Sequence, residues 1–128
     1  MSRRAVSTNA APPAAGPYSQ AIATDDLVFC AGQLGTDPAT GALAEGVAAQ
    51  AAQALTNLAA VLEAAGCSFA DVVKTTCFLA DINDFAAFNA VYATFMSDTP
   101  PARSTFQVAA LPKGGRVEIE AIAVRPRG

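Results

Sequence analysis

From Val47 the apolar positions fall at Val47, Ala51, Ala54, Leu55, Leu58, Val61, Leu62 and Ala65, the i, i+3, i+4, i+7 stripe of an amphipathic helix. Gly66 follows as a suitable C′ residue, so the helix is expected to stop there. Val72–Leu79 is rich in β-branched residues and bounded by Asp71 and Asp81, which predicts a strand. Asp81 or Asn83 can cap a second helix carrying Phe85, Phe88, Tyr92 and Phe95 on one face at spacings of three and four, a stripe whose common use is core packing. Pro100-Pro101 breaks the chain, and Arg103–Val108 and Val117–Val124 read as strands joined by Leu111-Pro112-Lys113-Gly114-Gly115.

Upstream, Leu27–Ala31 is an apolar run ending at Gly32 and too short for a typical helix, so it is expected to be a strand. Asp37–Gly41 carries turn chemistry, and Ala10–Gly16, flanked and interrupted by prolines, reads as a loop. No internal repeat or linker interrupts the series. Strands alternating with two helices predict an α+β or α/β domain of two layers, sheet on one side and helices on the other. In the last strand Glu118 and Glu120 share a face that continues into Ile122 and Val124. That mixed face is expected to be covered by a partner subunit rather than simply solvated.

Composition strengthens the expectation of a partner. The 128 residues are 52% hydrophobic and 15% charged with no Trp, so a core is easily supplied while polar surface is scarce. No apolar run approaches a membrane span, which predicts a soluble protein. A net charge of −3 and a pI near 4.7 make nucleic acid an unfavoured partner, because phosphate binding leans on Lys and Arg. Arg3, Arg4, Arg116, Arg125 and Arg127 are the only basic grouping, and such scattered charges ordinarily solvate a surface. Cys30, Cys67 and Cys77 are odd in number and show no CxxC spacing, so neither a disulfide framework nor a zinc site is signalled and a reducing compartment, the cytoplasm, is expected. They read as buried structural thiols. Met1–Gly16 holds two arginines and no acidic residue, a composition similar to a transit peptide's, but it has no apolar core of the kind that directs secretion.

The absence of histidine removes the usual general base, the Ser-His-Asp arrangement and the HExxH zinc site. Zinc deaminase chemistry is excluded as well, since its signature requires a PCxxC motif. No glycine-rich nucleotide motif occurs, so no dinucleotide cofactor is implied. Arg103, Glu118 and Glu120 remain. An arginine fork can bind the carboxylate of a small organic acid bidentately, and Glu118 could orient or deprotonate a water. Alternatively, Arg103 pairs with Glu118 or Glu120 across strands, a reading that spacing alone favours without deciding.

Gly16-Pro17-Tyr18-Ser19-Gln20, Ala31-Gly32-Gln33, Val73–Thr76 with Asp81–Phe85, and Pro101-Ala102-Arg103-Ser104 running into Val117–Ala121 together resemble the RidA family, formerly called YjgF. The similarity runs from Thr8 to Val124 with the blocks in matching order. It implies a chorismate-mutase-like α+β fold over residues 1–128, a two-layer domain with a mixed sheet packed on two helices. It further implies a homotrimer around a central β-barrel, with three sites in the clefts between subunits. The implied activity is hydrolysis of reactive enamine/imine acids, such as 2-aminoacrylate and 2-aminocrotonate released by pyridoxal-phosphate enzymes, to 2-keto acids and ammonia. The reaction is implied to be metal-free and to need no cofactor, since the pyridoxal phosphate belongs to the upstream enzyme.

Carried over by position, the resemblance makes Arg103 the substrate anchor, Glu118 the water-positioning group and Tyr18 a cleft-lining residue. Asn89 falls near the same cleft, and the Gly32 amide is expected to help hold the carboxylate because glycine lets a ligand approach the backbone. Two departures bear on substrate range: Ala31 stands where the family often has Ser, and Thr105 where many bacterial members have Cys, leaving the Thr105 amide as a donor. Two other readings compete with the enzyme: a non-catalytic trimeric ligand-binding or chaperone-like module, and an endoribonuclease, against which the acidic pI and missing histidines count.

Overall fold

The structure, a computed structural model, describes residues 2–126; Arg127, the last of the basic grouping, lies outside the described residues. Eight elements follow one another: β1 (Arg4–Val6), β2 (Ala21–Ala23), β3 (Leu27–Leu34), α1 (Gly46–Ala64), β4 (Val72–Leu79), α2 (Phe85–Phe95), β5 (Ala102–Gln107) and β6 (Val117–Val124). The strands form one sheet in the order β1-β2-β3-β6-β4-β5. Every pairing is antiparallel except β4 with β5, which is parallel. A mixed sheet with both helices in a second layer is the α+β architecture expected. Among the described residues no helix is long and apolar enough to cross a membrane.

The stripe on α1 packs as its spacing predicts. Ala51, Ala54, Leu55, Leu58, Val61 and Leu62 are buried against Val117, Ile119, Ala121 and Ala123 of β6 and against β3. Burial of each leucine contributes roughly 1.5–3 kcal/mol. Gly66 ends the helix with φ +79°; its N–H donates to Glu63 O and that of Cys67 to Leu62 O, the paired bonds of a Schellman termination.

Polar side chains absent from the stripe do as much to fix the layers. Asn57 is fully buried and its amide donates to Leu34 O at 3.1 Å and Thr36 O at 2.8 Å, tying α1 to the end of β3. Gln50 donates to Ala44 O and accepts from Arg116 N. Buried amides persist only when satisfied in this way.

β4 and β6 span the residues their sequence pattern predicts. β3 does not stop at Gly32: it runs on to Leu34 through a register shift between Cys30 and Gln33, so the glycine marks a bulge inside the strand rather than its end. Asp81 caps a short 3-10 turn, Ile82–Asp84, by accepting from Asn83 N, and α2 starts only after it. Asp84 instead pairs with Arg116 at 2.8 Å. The α2 stripe is also only partly core. Phe88 and Tyr92 are buried, whereas Phe85 is 38% exposed. All three cysteines are free and buried. Burial pushes the Cys30 thiol up to about 12 and Cys77 to about 11.

Candidate functional site

Alternation along β6 buries Val117, Ile119, Ala121 and Ala123 against the helices and turns Glu118, Glu120, Ile122 and Val124 to the other face. Glu118 is in register with Leu34 of β3 and Phe78 of β4. The bulge in β3 brings Gly32 directly against it. A Cβ at residue 32 would lie 2.6 Å from Glu118 Oε2, 2.8 Å from Cδ and 3.0 Å from Cγ, so only glycine leaves room for the carboxylate where it stands. A pocket of about 120 Å³ opens at this point, lined by Tyr18, Gly32 and Glu118 with Pro12, Gln20 and Lys113.

The loop bearing Tyr18 is organised by Gln20, which is buried. Gln20 accepts from Thr8 N at 2.7 Å and donates to Thr8 O at 3.1 Å and Pro12 O at 2.8 Å. A segment broken by prolines has few backbone bonds of its own, and this amide supplies them. Tyr18 remains 54% exposed, its hydroxyl accepting from Ala15 N. Burial first, and the neighbouring Glu120 charge second, hold the Glu118 carboxyl above the usual carboxylate range.

Arg103 lies elsewhere. On β5, at the sheet edge, it is in register with Thr75 of β4. Thr75 is fully buried on the helix side, its hydroxyl 2.7 Å from that of Tyr92 on α2. The Arg103 guanidinium donates from Nη1 to Asn89 Oδ1 at 2.8 Å. Its Cζ stands 4.7 Å from the ring centroid of Tyr92, 5.5 Å from Phe85 and 5.7 Å from Phe88, all within cation–π range. Thr105, two residues on and so on the same face, has a buried Oγ1 with no hydrogen-bond partner among the described residues.

Register therefore divides the expected site residues into two groups. Tyr18, Gly32 and Glu118 meet on the helix-free face, whereas Asn89, Arg103 and Thr105 meet on the helix face at the sheet edge. A cross-strand ion pair between Arg103 and Glu118 or Glu120 does not form, because they project from opposite faces. Among the described residues the ion pair that does form is Arg116 with Asp84. The aromatic surroundings of Arg103 went unread as site residues, although Phe85, Phe88, Asn89 and Tyr92 recur at i, i+3, i+4 and i+7 on one helix.

The family model described as Endoribonuclease L-PSP matches residues 8–125, nearly the whole chain. The chain belongs to the RidA family. Among RidA relatives, the 2-iminobutanoate/2-iminopropanoate deaminase of Capra hircus is 59% identical over 124 residues, covering 96% of this chain and 90% of that protein. The crystal structure of RidA from an Antarctic Psychrobacter superposes with a TM-score of 0.93 at 50% identity, over 94% of this chain and 98% of that one. E. coli TdcF with bound serine also reaches 0.93, at 44% identity over 96% and 99% of the two chains. The RidA fold is thus shared closely over nearly the whole chain.

Proposed function

We propose that this chain is a 2-iminobutanoate/2-iminopropanoate deaminase whose active site is completed between subunits of a homotrimer. The activity is that of relatives 50–59% identical over nearly the whole chain. The observation that carries the assembly is the separation of the two residue groups. A carboxylate anchor on one face and a water-holding carboxylate on the other cannot act on one small molecule within a single chain. A neighbouring subunit that sets its β5 edge against the Tyr18–Gly32–Glu118 pocket joins them.

The helix-free face supports this assembly. Phe29, Phe106 and Val124 are each more than 40% exposed there, and Phe106 stacks on Phe78 with centroids 5.4 Å apart. Apolar surface of this kind favours a partner, and cyclic symmetry lets identical copies cover it. Three copies closing a central barrel in the chorismate-mutase-like manner hide it completely, with residues 1–128 acting as one domain in each. The protein works in the cytoplasm, beside the pyridoxal-phosphate enzymes that release its substrates.

In the composite site Arg103, with one donor committed to Asn89, presents its remaining N–H groups to the substrate carboxylate. The bare backbone of Gly32 lets the ligand approach. A water held by Glu118 gives a proton to the carboxylate as its oxygen attacks the imine carbon. Glu118 passes that proton to the nitrogen, giving the tetrahedral carbinolamine. The carbinolamine hydroxyl proton then reaches the nitrogen through Glu118 as the C=O forms and the C–N bond breaks, so ammonia leaves and a 2-keto acid remains. Positioning supplies most of the rate enhancement, and a carboxyl held above its usual range is a stronger base for the water.

The test mixes the protein with a pyridoxal-phosphate dehydratase and its amino acid and follows 2-keto acid formation. Acceleration is expected, lost in Glu118→Gln and on dissociation of the trimer. No acceleration with any of several amino acids refutes the deaminase. Binding of a 2-keto acid that depends on Arg103 but not on Glu118, with no acceleration of the reaction, points to a ligand-binding module, and sedimentation as a monomer at micromolar concentration refutes the assembly.

A further inference from the structure

On the side of α2 that faces Arg103, Phe88 and Tyr92 are buried core residues, but core packing does not account for Phe85 or for the polar contacts beside it. A residue serving only to fill the interior is buried, yet Phe85 is 38% exposed while its ring stands 5.5 Å from the guanidinium. Tyr92 lies closest, at 4.7 Å, and its polar end is buried, so its hydroxyl requires a partner. That partner is Thr75 Oγ1 at 2.7 Å, on the residue of β4 in register with Arg103 itself. The contacts close a loop: the backbone of Arg103 lies beside Thr75, Thr75 holds the Tyr92 hydroxyl, and the Tyr92 ring faces the Arg103 guanidinium. Asn89 meets the same guanidinium from one turn of α2 earlier.

We infer that Tyr92, held by Thr75, is a positioning residue that sets the plane of the Arg103 guanidinium for bidentate capture of a carboxylate. The inference rests on the reading of Arg103 as the substrate anchor. An arginine side chain has many rotatable bonds, and two parallel N–H···O bonds form only when its fork is coplanar with the incoming carboxylate. The ring face restricts tilt, the Asn89 amide restricts rotation of the guanidinium plane about the Cδ–Nε bond, and the Thr75 hydroxyl fixes the far end of the ring and so its place against the guanidinium. With the fork held before the ligand arrives, less freedom is lost on binding. Lysine has no plane to be oriented, so the device is specific to arginine.

A double-mutant cycle separates this role from packing. Tyr92→Leu and Tyr92→Phe are each made in the wild-type chain and in Arg103→Lys, with kcat, KM, 2-oxobutanoate affinity and melting temperature measured for all six proteins. In the Arg103 background, loss of the ring in Tyr92→Leu is expected to weaken 2-oxobutanoate binding and kcat/KM roughly 2- to 30-fold. Tyr92→Phe, which keeps the ring and loses its tether, falls between. In the Arg103→Lys background both effects should shrink to within about twofold, because nothing planar remains to be oriented. Equal losses in the two backgrounds, moving with melting temperature, overturn the inference and make Tyr92 a packing residue. Should Tyr92→Leu not fold, the Tyr92→Phe half of the cycle decides by the same comparison. A wild-type protein that neither turns over nor binds 2-oxobutanoate refutes the anchor reading itself, whereas an active wild type with no coupling refutes the Tyr92 role alone.

Discussion

Gly32→Ala tests whether the placement of the Glu118 carboxylate matters, and it does so without changing any ionisable group. The new Cβ would lie 2.6 Å from Oε2, and ordinary contact begins near 3.4 Å, so the carboxylate must retreat by about 0.8 Å. The three nearest atoms all belong to the Glu118 side chain, so rotation of that side chain relieves the clash at an off-rotamer cost of about 0.5–1.5 kcal/mol. Loss of glycine freedom in the unfolded chain offsets roughly 0.4–1 kcal/mol of this. The variant is therefore expected to assemble and to melt within a few degrees of the wild type. Displacing a reacting group by close to 1 Å can lower turnover on the order of 100-fold.

Gly35→Ala is the control. Its Cβ would lie 2.5 Å from both Cα and O of Gln50, on the α1 backbone, which cannot rotate away. Overpacking of this kind destabilises by about 1–3 kcal/mol. The coupled keto-acid assay and thermal melts of both variants decide the matter. A folded, trimeric Gly32→Ala with wild-type activity shows that the Glu118 position is not part of catalysis, and the water-holding role is then withdrawn.

Arg103→Lys keeps the charge and removes the fork. Losing one charge-assisted hydrogen bond to the substrate lowers kcat/KM by about 1.5–3 kcal/mol, roughly ten- to hundredfold, with the trimer intact; wild-type activity in a trimeric variant refutes the anchor. Because burial and Glu120 raise the Glu118 pKa, the acid limb of the rate profile should lie above the ordinary carboxylate range. Glu120→Gln removes the smaller of the two causes, so the limb should move to lower pH. The same shift makes the ionised Glu118 unfavourable to folding, a penalty absent below its unfolded pKa and fully present above its folded one. Glu118→Gln should accordingly be the more stable protein at neutral pH, with the difference in melting temperature closing as pH falls through the raised pKa. With all three thiols buried and their pKa values raised, labelling of the native protein should be slow and leave activity intact, whereas rapid labelling that abolishes turnover overturns their structural role.

The local elements were legible wherever a strong period or a boundary residue marked them. β4 and β6 carry β-branched or alternating runs, and α1 carries a stripe ending at a glycine that only the left-handed region explains. β1 and β2 left no such mark. Each is only three residues long, Arg-Ala-Val and Ala-Ile-Ala, and they are strands because neighbours supply their hydrogen bonds. Gly32 signalled irregularity but not its kind, since ending a strand and bulging it call for the same residue.

For the site, residue chemistry and the family blocks pointed to Arg103, Glu118, Gly32, Tyr18, Asn89 and Thr105 before any coordinates. Whether they meet was a matter of register. A period of two says that alternate residues of a strand share a face, but one strand's faces are matched to another's only when the strands pair. The parallel pairing of Arg103 with Thr75 and the antiparallel pairing of Glu118 with Phe78 put the two groups on opposite sides of the sheet. The amino-acid sequence by itself determined the chemical groups, the elements with strong periods and the excess of apolar surface. Tertiary structure alone decided which groups share a face and what surrounds Arg103, because those depend on hydrogen bonds between residues far apart in the chain.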